Sequence, residues 1–433
     1  MPARLKFNIF SPLPPVRSEI ANVTRLVAQA LRPMADITLW TAQSQKPVLD
    51  GPEAVMRFEP DRVPWAKLQE ADLNIYNIGN NATFHRSIFD VARQAPGLVV
   101  LHDTRLQHFF ARYSETPGPD RAFYLESMQR SHGLTSVADA EAFLAGQQGL
   151  DTLVERYPMT LAALDGALAA VIHNDCDRAA LAGQTRTPVF YLPLPFAGPG
   201  LAMRPPPNGT LRLIAFGHMG FNRRLDVILE ALAGHDDAAI RLDIYGVLEE
   251  AEAVQARSAA LGLGARVQFH GFVPEPDLTA ALARADLALN LRYPSMGEAS
   301  ASQLRIWDSG LPSLVTRTGW YASLPADAVF FVEPADEIAS IRAHLTALRR
   351  SPAAFRRAGL RGREILLEQH APAAYAQALL AIAQQAPALH ARRQAIAMSR
   401  IAANGLMELT GVAGITACAE PVAQAVRALT QTR

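Results

Sequence analysis

Residues 285–316 read ADLALNLRYPSMGEASASQLRIWDSGLPSLVT: a short apolar run, a loop with one carboxylate, a helical stretch, and a second apolar run after Gly310 and Pro312. A strand, a crossover helix and another strand in that order predict a parallel sheet covered by helices on both faces. The stretch also holds four very small residues, Ala299 to Ser302, directly after Glu298. Small side chains leave the first turn of a helix open, and its unpaired N–H groups attract an anion that can come close.

The same alternation extends on either side. Upstream run LRLIAFG, a helix over RLDVILEALAG, IRLDIYG, a helix through EAVQARSAALG, ARVQFHG and the helix DLTAALARA; downstream comes AVFFVEP. An earlier set of βα repeats comprises KFNIF, IANVTRLVAQALRP, DITLWT, ADLNIYNIG, SIFDVARQAP and GLVVLHD. A helix-rich insertion at 104–165 precedes AAVIHN. Residues 190–209, FYLPLPFAGPGLAMRPPPNG, are crowded with Pro and Gly and read as the linker between the halves. The expected division is therefore 1–203, 204–370, and an alanine-rich helical tail, 371–433, with a strand conceivable only at ITACA. Two doubly wound domains of this kind bind ligands where loops and helix N-termini meet at the carboxyl ends of their strands.

Bulk properties narrow the function. The chain has 433 residues, 49% hydrophobic and 19% charged, which is ample for two cores and too apolar for disorder. Lys plus Arg and Asp plus Glu number 41 each, so no overall field recruits nucleic acid. Cys176 and Cys418 form no CxxC spacing, and they read as small core residues of a protein in a reducing compartment. The N-terminus is too short in apolar residues for an export signal, and no run reaches the roughly 18 apolar residues of a membrane span. A cytoplasmic protein is expected, with any membrane role peripheral, on the inner face.

Two phosphate motifs are excluded: GLG at 262–264 follows a helix instead of a strand, and there is no GxxxxGK[ST]. Asp175 and Asp177 flank Cys176 as in a metal-holding DxD, but acidic and Asn residues before a helix are better read as caps. His102, ending GLVVLHD, stands where a parallel strand delivers side chains to a site; a buried, hydrogen-bonded histidine is the alternative. In FGHMGFNRR, Gly217 follows a strand, and Arg223 with Arg224 can hold phosphate oxygens through charged hydrogen bonds. Glu298 can accept from neutral hydroxyls, against a plain ion pair with Arg305 seven residues on.

These stretches carry a family resemblance through most of residues 1–385. FGHMGFNRRLDVILEAL, VQFHGFVPEPDLTAALARADLALNLR and RYPSMGEASASQLRIWDSGLPSLVT resemble the donor domain of GT-B glycosyltransferases of the retaining group called family 4. FSPLPPVRSEIANVTRLVAQAL and LHD resemble their first βα unit and active-site histidine segment. The resemblance implies an α/β GT-B architecture, two Rossmann-like domains facing a central cleft, and a hexosyl transfer from a nucleoside-diphosphate sugar to a glycan or lipid-linked hydroxyl. No metal or other cofactor is implied. Carried over, His102 lies by the donor sugar, Arg223 holds the diphosphate, Glu298 binds sugar hydroxyls, and the amides of Ala299, Ser300 and Ala301 meet the phosphates. Phe272 and Val273 line the base pocket, while Arg17, Ser18 and Glu19 face the acceptor. Departures stand at Glu19 for a glycine, His218 for an arginine, and Arg305 near a second glutamate. A GT-B-like nucleotide-sugar epimerase and a non-catalytic sugar-nucleotide-binding subunit are the alternative readings.

Overall fold

In the computed structural model, which describes residues 4–201, 209–403 and 405, the chain divides into two compact units. The first comprises residues 1–172, 178–192 and 376–433, and the second 173–177 and 193–375. The chain thus passes to the second unit after Leu192 and returns at Ala376. ITACA and Cys418 lie outside the described residues.

The first unit is built on a seven-stranded parallel sheet ordered β3-β2-β1-β4-β5-β6-β7. Its strands are β1 (Leu5–Phe10), β2 (Ala35–Thr41), β3 (Ala54–Arg57), β4 (Leu73–Ile78), β5 (Leu98–Leu101), β6 (Ala169–Ile172) and β7 (Val189–Tyr191). LVVL of β5 and AAVI of β6 are buried at every residue, as strands covered on both faces must be. Two of the strands correct the sequence reading. β3 was given no strand there, and Phe190 and Tyr191, assigned to the linker, instead end the sheet's edge strand.

Aromatic packing fills the core of this unit. Phe10 stacks on Trp40 with ring centres 5.1 Å apart, and Trp40 donates its indole N–H to Asn8 at 2.8 Å. The 104–165 insertion is helical and belongs to the same core: Phe109, Phe110 and Tyr113 pack edge-on against Phe89. The tail is tied to the unit where Arg393 donates to the Gly166 carbonyl at 2.8 Å.

The second unit has a six-stranded parallel sheet, β10-β9-β8-β11-β12-β13, formed by β8 (Leu211–Met219), β9 (Ile240–Leu248), β10 (Val267–Gly271), β11 (Leu287–Asn290), β12 (Ser313–Thr316) and β13 (Phe330–Val332). In both sheets the order reverses beside the first strand, between β1 and β4 and between β8 and β11. At such a point two neighbouring loops diverge and leave a crevice at the strands' carboxyl ends. Among the described residues no helix is long and apolar enough to cross a membrane.

Candidate anion site at the second switch point

The crevice of the second unit is flanked by the loop after β8, which carries Arg223, and the loop after β11, which carries Glu298. Asn222 stitches the two together. Its carbonyl accepts the Tyr293 N–H at 2.8 Å, its Oδ1 accepts from Arg292 Nη1 at 3.3 Å, and its Nδ2 donates to the Pro294 carbonyl at 3.4 Å. The backbone must come close as well. Gly217 has φ +114° and Gly246 on the adjacent strand has φ +117°, and a Cβ on Gly246 would lie 1.8 Å from the Gly217 carbonyl oxygen. Gly217 therefore leaves room at the crevice floor, where a Cβ would meet Ser302 Oγ at 3.7 Å and Arg223 Nη2 at 3.9 Å.

Arg223 is only 4% exposed, yet its hydrogen-bond partners are neutral. Nη1 donates to Asn290 Oδ1 at 2.9 Å and Nη2 to the Phe216 carbonyl at 2.7 Å. Burial disfavours its charge, and Arg292 repels it, so its pKa is pushed down to about 9; Tyr321 and Glu298 pull the other way. A buried cation whose hydrogen bonds go only to neutral groups is costly unless an anion comes to it. The Tyr321 hydroxyl, whose charge state also bears on Arg223, is buried without a hydrogen-bond partner among the described residues.

The crossover helix runs Ala301–Asp308, with Ser300 as its N-cap accepting the Gln303 N–H at 3.1 Å. It starts at Ala301 and not at Ala299, so the first two of the four small residues belong, with Glu298, to the loop. The first-turn N–H groups of Ala301 and Ser302 are left for an outside acceptor, together with those of Ala299 and Ser300, none of which donates to another described residue. The helix is seated by glycines of its neighbour, Pro352–Gln369: a Cβ on Gly362 would meet the Trp307 ring at 2.0 Å, and one on Gly359 the Gly310 carbonyl at 2.4 Å.

Glu298 is not paired with Arg305. Its Oε1 faces Arg292 Nε at 3.0 Å, held by charge and not by a directed hydrogen bond, and its Oε2 accepts the Met296 N–H at 2.7 Å and the Ser295 hydroxyl at 3.3 Å. Arg305 instead pairs with Glu275. Arg224 also turns from the crevice, since Glu337 accepts its Nε at 2.8 Å. The structure thus brings Gly217, Arg223, Glu298, Ala299, Ser300 and Ala301 together and gives Arg224 and Arg305 carboxylate partners elsewhere. Arg292 escaped the sequence reading. A basic residue two positions past a strand's end, six before a carboxylate, was the signal that could have found it. His218, beside Gly217, pairs with Glu249 at 2.7 Å. Phe272 is exposed, at 56%, while Val273 packs against the cluster of Ile214, Phe216 and Tyr245.

His102, Arg17, Ser18 and Glu19 belong to the first unit, and Asp175 and Asp177 to the second. His102 follows β5, and its ring is oriented by Asn77: the Asn77 amide donates to the Phe10 carbonyl at 3.2 Å, so its Oδ1 accepts from His102 Nε2 at 2.9 Å. The neutral imidazole therefore carries its proton on Nε2. Arg17 and Glu19 are exposed in the loop and helix start after β1, and Ser18 is the N-cap of Glu19–Leu31 without a side-chain cap bond. Asn174, ahead of Asp175 and Asp177, accepts the Cys176 N–H at 3.0 Å and donates to Asp177 at 3.0 Å, the behaviour of a turn. Among the described residues no group of three His, Cys, Asp or Glu side chains is placed to hold a metal.

Residues 210–350, spanning all six strands of the second sheet, match the family model described as Glycosyl transferases group 1. No curated protein matches the sequence. Solved structures share the fold across nearly the whole chain. Sucrose-phosphate synthase from Thermosynechococcus elongatus superposes with a TM-score of 0.61 at 14% identity over 89% of this chain and 100% of that one. HepE from Anabaena, in complex with UDP and glucose, gives 0.57 at 12% over 88% and 100%. WaaG, a glycosyltransferase involved in lipopolysaccharide biosynthesis, gives 0.54 at 16% over 86% and 98%. Likeness at these identities establishes the fold, that of GT-B glycosyltransferases.

Proposed function

We propose that this chain, whose residues 210–350 form a group 1 glycosyltransferase domain, moves a sugar from a nucleoside-diphosphate sugar to a hydroxyl of a glycan or lipid-linked acceptor, with the anomeric configuration retained. One observation carries the reading: Arg223, buried with neutral partners only, lies at the switch-point crevice beside the open first turn of the Ala301–Asp308 helix. A diphosphate supplies the missing anion. The complex of HepE with UDP and glucose supports a donor of that kind on this fold.

The chemistry follows from where charge grows. As the sugar C1–O bond breaks, negative charge accumulates on the departing diphosphate, and prepositioned cations and helix amides favour that state over the intact donor. The acceptor oxygen forms the new bond to C1, and its proton passes to the leaving phosphate. Retention rests on the family resemblance, which also places His102 by the donor sugar and the Arg17–Glu19 loop by the acceptor. Positive charge comes from arginine, so transfer is expected to survive chelation of divalent ions.

A thermal-shift screen of UDP-, GDP- and ADP-sugars identifies the donor, because a ligand bound only by the folded state raises the melting temperature. Product NMR with that donor and an acceptor panel then reads transfer and anomeric configuration. An inverted product overturns retention. Isomerised donor with no acceptor added overturns transfer in favour of epimerisation.

A further inference from the structure

We infer that Arg292 is the second cation of the diphosphate site and that Glu298 is the residue positioning it, rather than a direct ligand of the sugar. The inference rests on the donor reading above and goes beyond it in the roles of both residues.

Charge balance points to Arg292. Arg224 and Arg305 are neutralised by Glu337 and Glu275. Arg292 stands close enough to Arg223 for repulsion to weaken the charge on Arg223, and Glu298 faces Arg292 Nε at 3.0 Å. A buried and a partly buried guanidinium ion brought this close repel one another, and a multiply charged anion held by both relieves that repulsion.

The loop geometry points to Glu298's role. Both of its oxygens have partners: Oε2 is held by the Met296 N–H and the Ser295 hydroxyl, and Oε1 faces Arg292 Nε at 3.0 Å. Its side chain is 13% exposed and that of Arg292 20%. Arg292 is held from the other side by Asn222, the residue next to Arg223. The carboxylate therefore fixes a guanidinium beside Arg223, and Gly319, whose Cβ would meet Ser295 Oγ at 2.5 Å, lets the loop after β12 press against that arrangement. A carboxylate so engaged would have to surrender a partly buried cation to reach a sugar hydroxyl.

A double-mutant cycle read by calorimetry tests this, with UDP, GDP and ADP as probes and uridine, guanosine and adenosine as phosphate-free controls. Arg292→Ala should weaken the diphosphate that binds wild type by about 10- to 100-fold, the worth of a lost charged contact, and leave the matching nucleoside unchanged. Arg292→Lys, which keeps the charge, should recover part of the loss. Glu298→Gln should weaken the same diphosphate, although it carries no sugar, and should add nothing once Arg292 is alanine. Wild-type diphosphate affinity in the Arg292→Ala and Arg292→Lys proteins overturns the inference alone. So does a Glu298→Gln effect confined to sugar-bearing donors and additive with Arg292→Ala. If the wild type binds none of the three diphosphates, the donor reading falls and this inference with it.

Discussion

Arg223 and Asn290 meet 2.9 Å apart at the carboxyl end of β11, a buried guanidinium against a neutral amide. The same amide donates to Gln303 Oε1 at 3.0 Å, so the cation is wired into the crossover helix through a chain of dipoles. An amide orients the guanidinium without cancelling its charge.

Asn290→Asp should cancel it. A carboxylate at that position forms an ion pair with Arg223 and removes the reason for a diphosphate to bind, so nucleoside-diphosphate affinity should drop about tenfold or more. Calorimetry with the diphosphate and its nucleoside distinguishes this from a general loss of the pocket, which would weaken both. Unchanged diphosphate affinity would contradict the charge argument.

His102→Ala should act on turnover. The ring is oriented by Asn77 on the neighbouring strand, and a residue beside the reacting sugar is expected to reduce kcat by about 10²- to 10⁴-fold with diphosphate affinity retained. A variant that folds and turns over normally assigns His102 to the core instead.

Acid should destabilise the first unit through His85. This imidazole is 1% exposed and bonded through Nδ1 to the Asn77 carbonyl at 3.0 Å, and burial pushes it down to about 4 from an ordinary 6.5. Between those values the unfolded chain binds the extra proton, so stability is complete above 6.5 and falls as pH drops towards 4, by up to about 3 kcal/mol. Urea midpoints across that range should fall less steeply for His85→Gln than for wild type; parallel curves would exclude His85 as the source.

Gly246→Ala should cost about 3 kcal/mol or more. The new methyl would be strained by φ +117° and pressed into the Gly217 carbonyl, displacing the crevice floor as well. Denaturant melts measure the first effect and diphosphate affinity the second, and a silent substitution would show that the close approach of β8 and β9 is dispensable.

Most of the fold is legible in the chain because fully buried parallel strands are written as apolar runs: LVVL, AAVI and LALN are each buried from end to end. β3 and β7 escape because AVMR and VFY are short, half-covered edge strands, and the second leads into a Pro-rich stretch that reads as linker. In the site, local spacing located Gly217, Arg223 and Glu298. It could not choose among charge partners, because those are set by tertiary approach: Arg224 finds Glu337 across 113 residues, and Arg305 finds Glu275 across 30. The helix begins at Ala301, two residues into the run of small residues, for a local reason, since Ser300 caps it by accepting the Gln303 N–H.

The crossing back at Ala376 sets an order on the ribosome. Segments of the first unit emerge before and after nearly all of the second, so the unit bearing Arg223 is fully synthesised while its companion still lacks the helical segment that begins at Ala376. Domains tend to fold as they emerge, and a chaperone or protease would meet the amino-terminal unit incomplete until the segment after Ala376 has emerged. Chimaeras that exchange the first unit therefore need two splice junctions, one near Leu192 and one near Ala376.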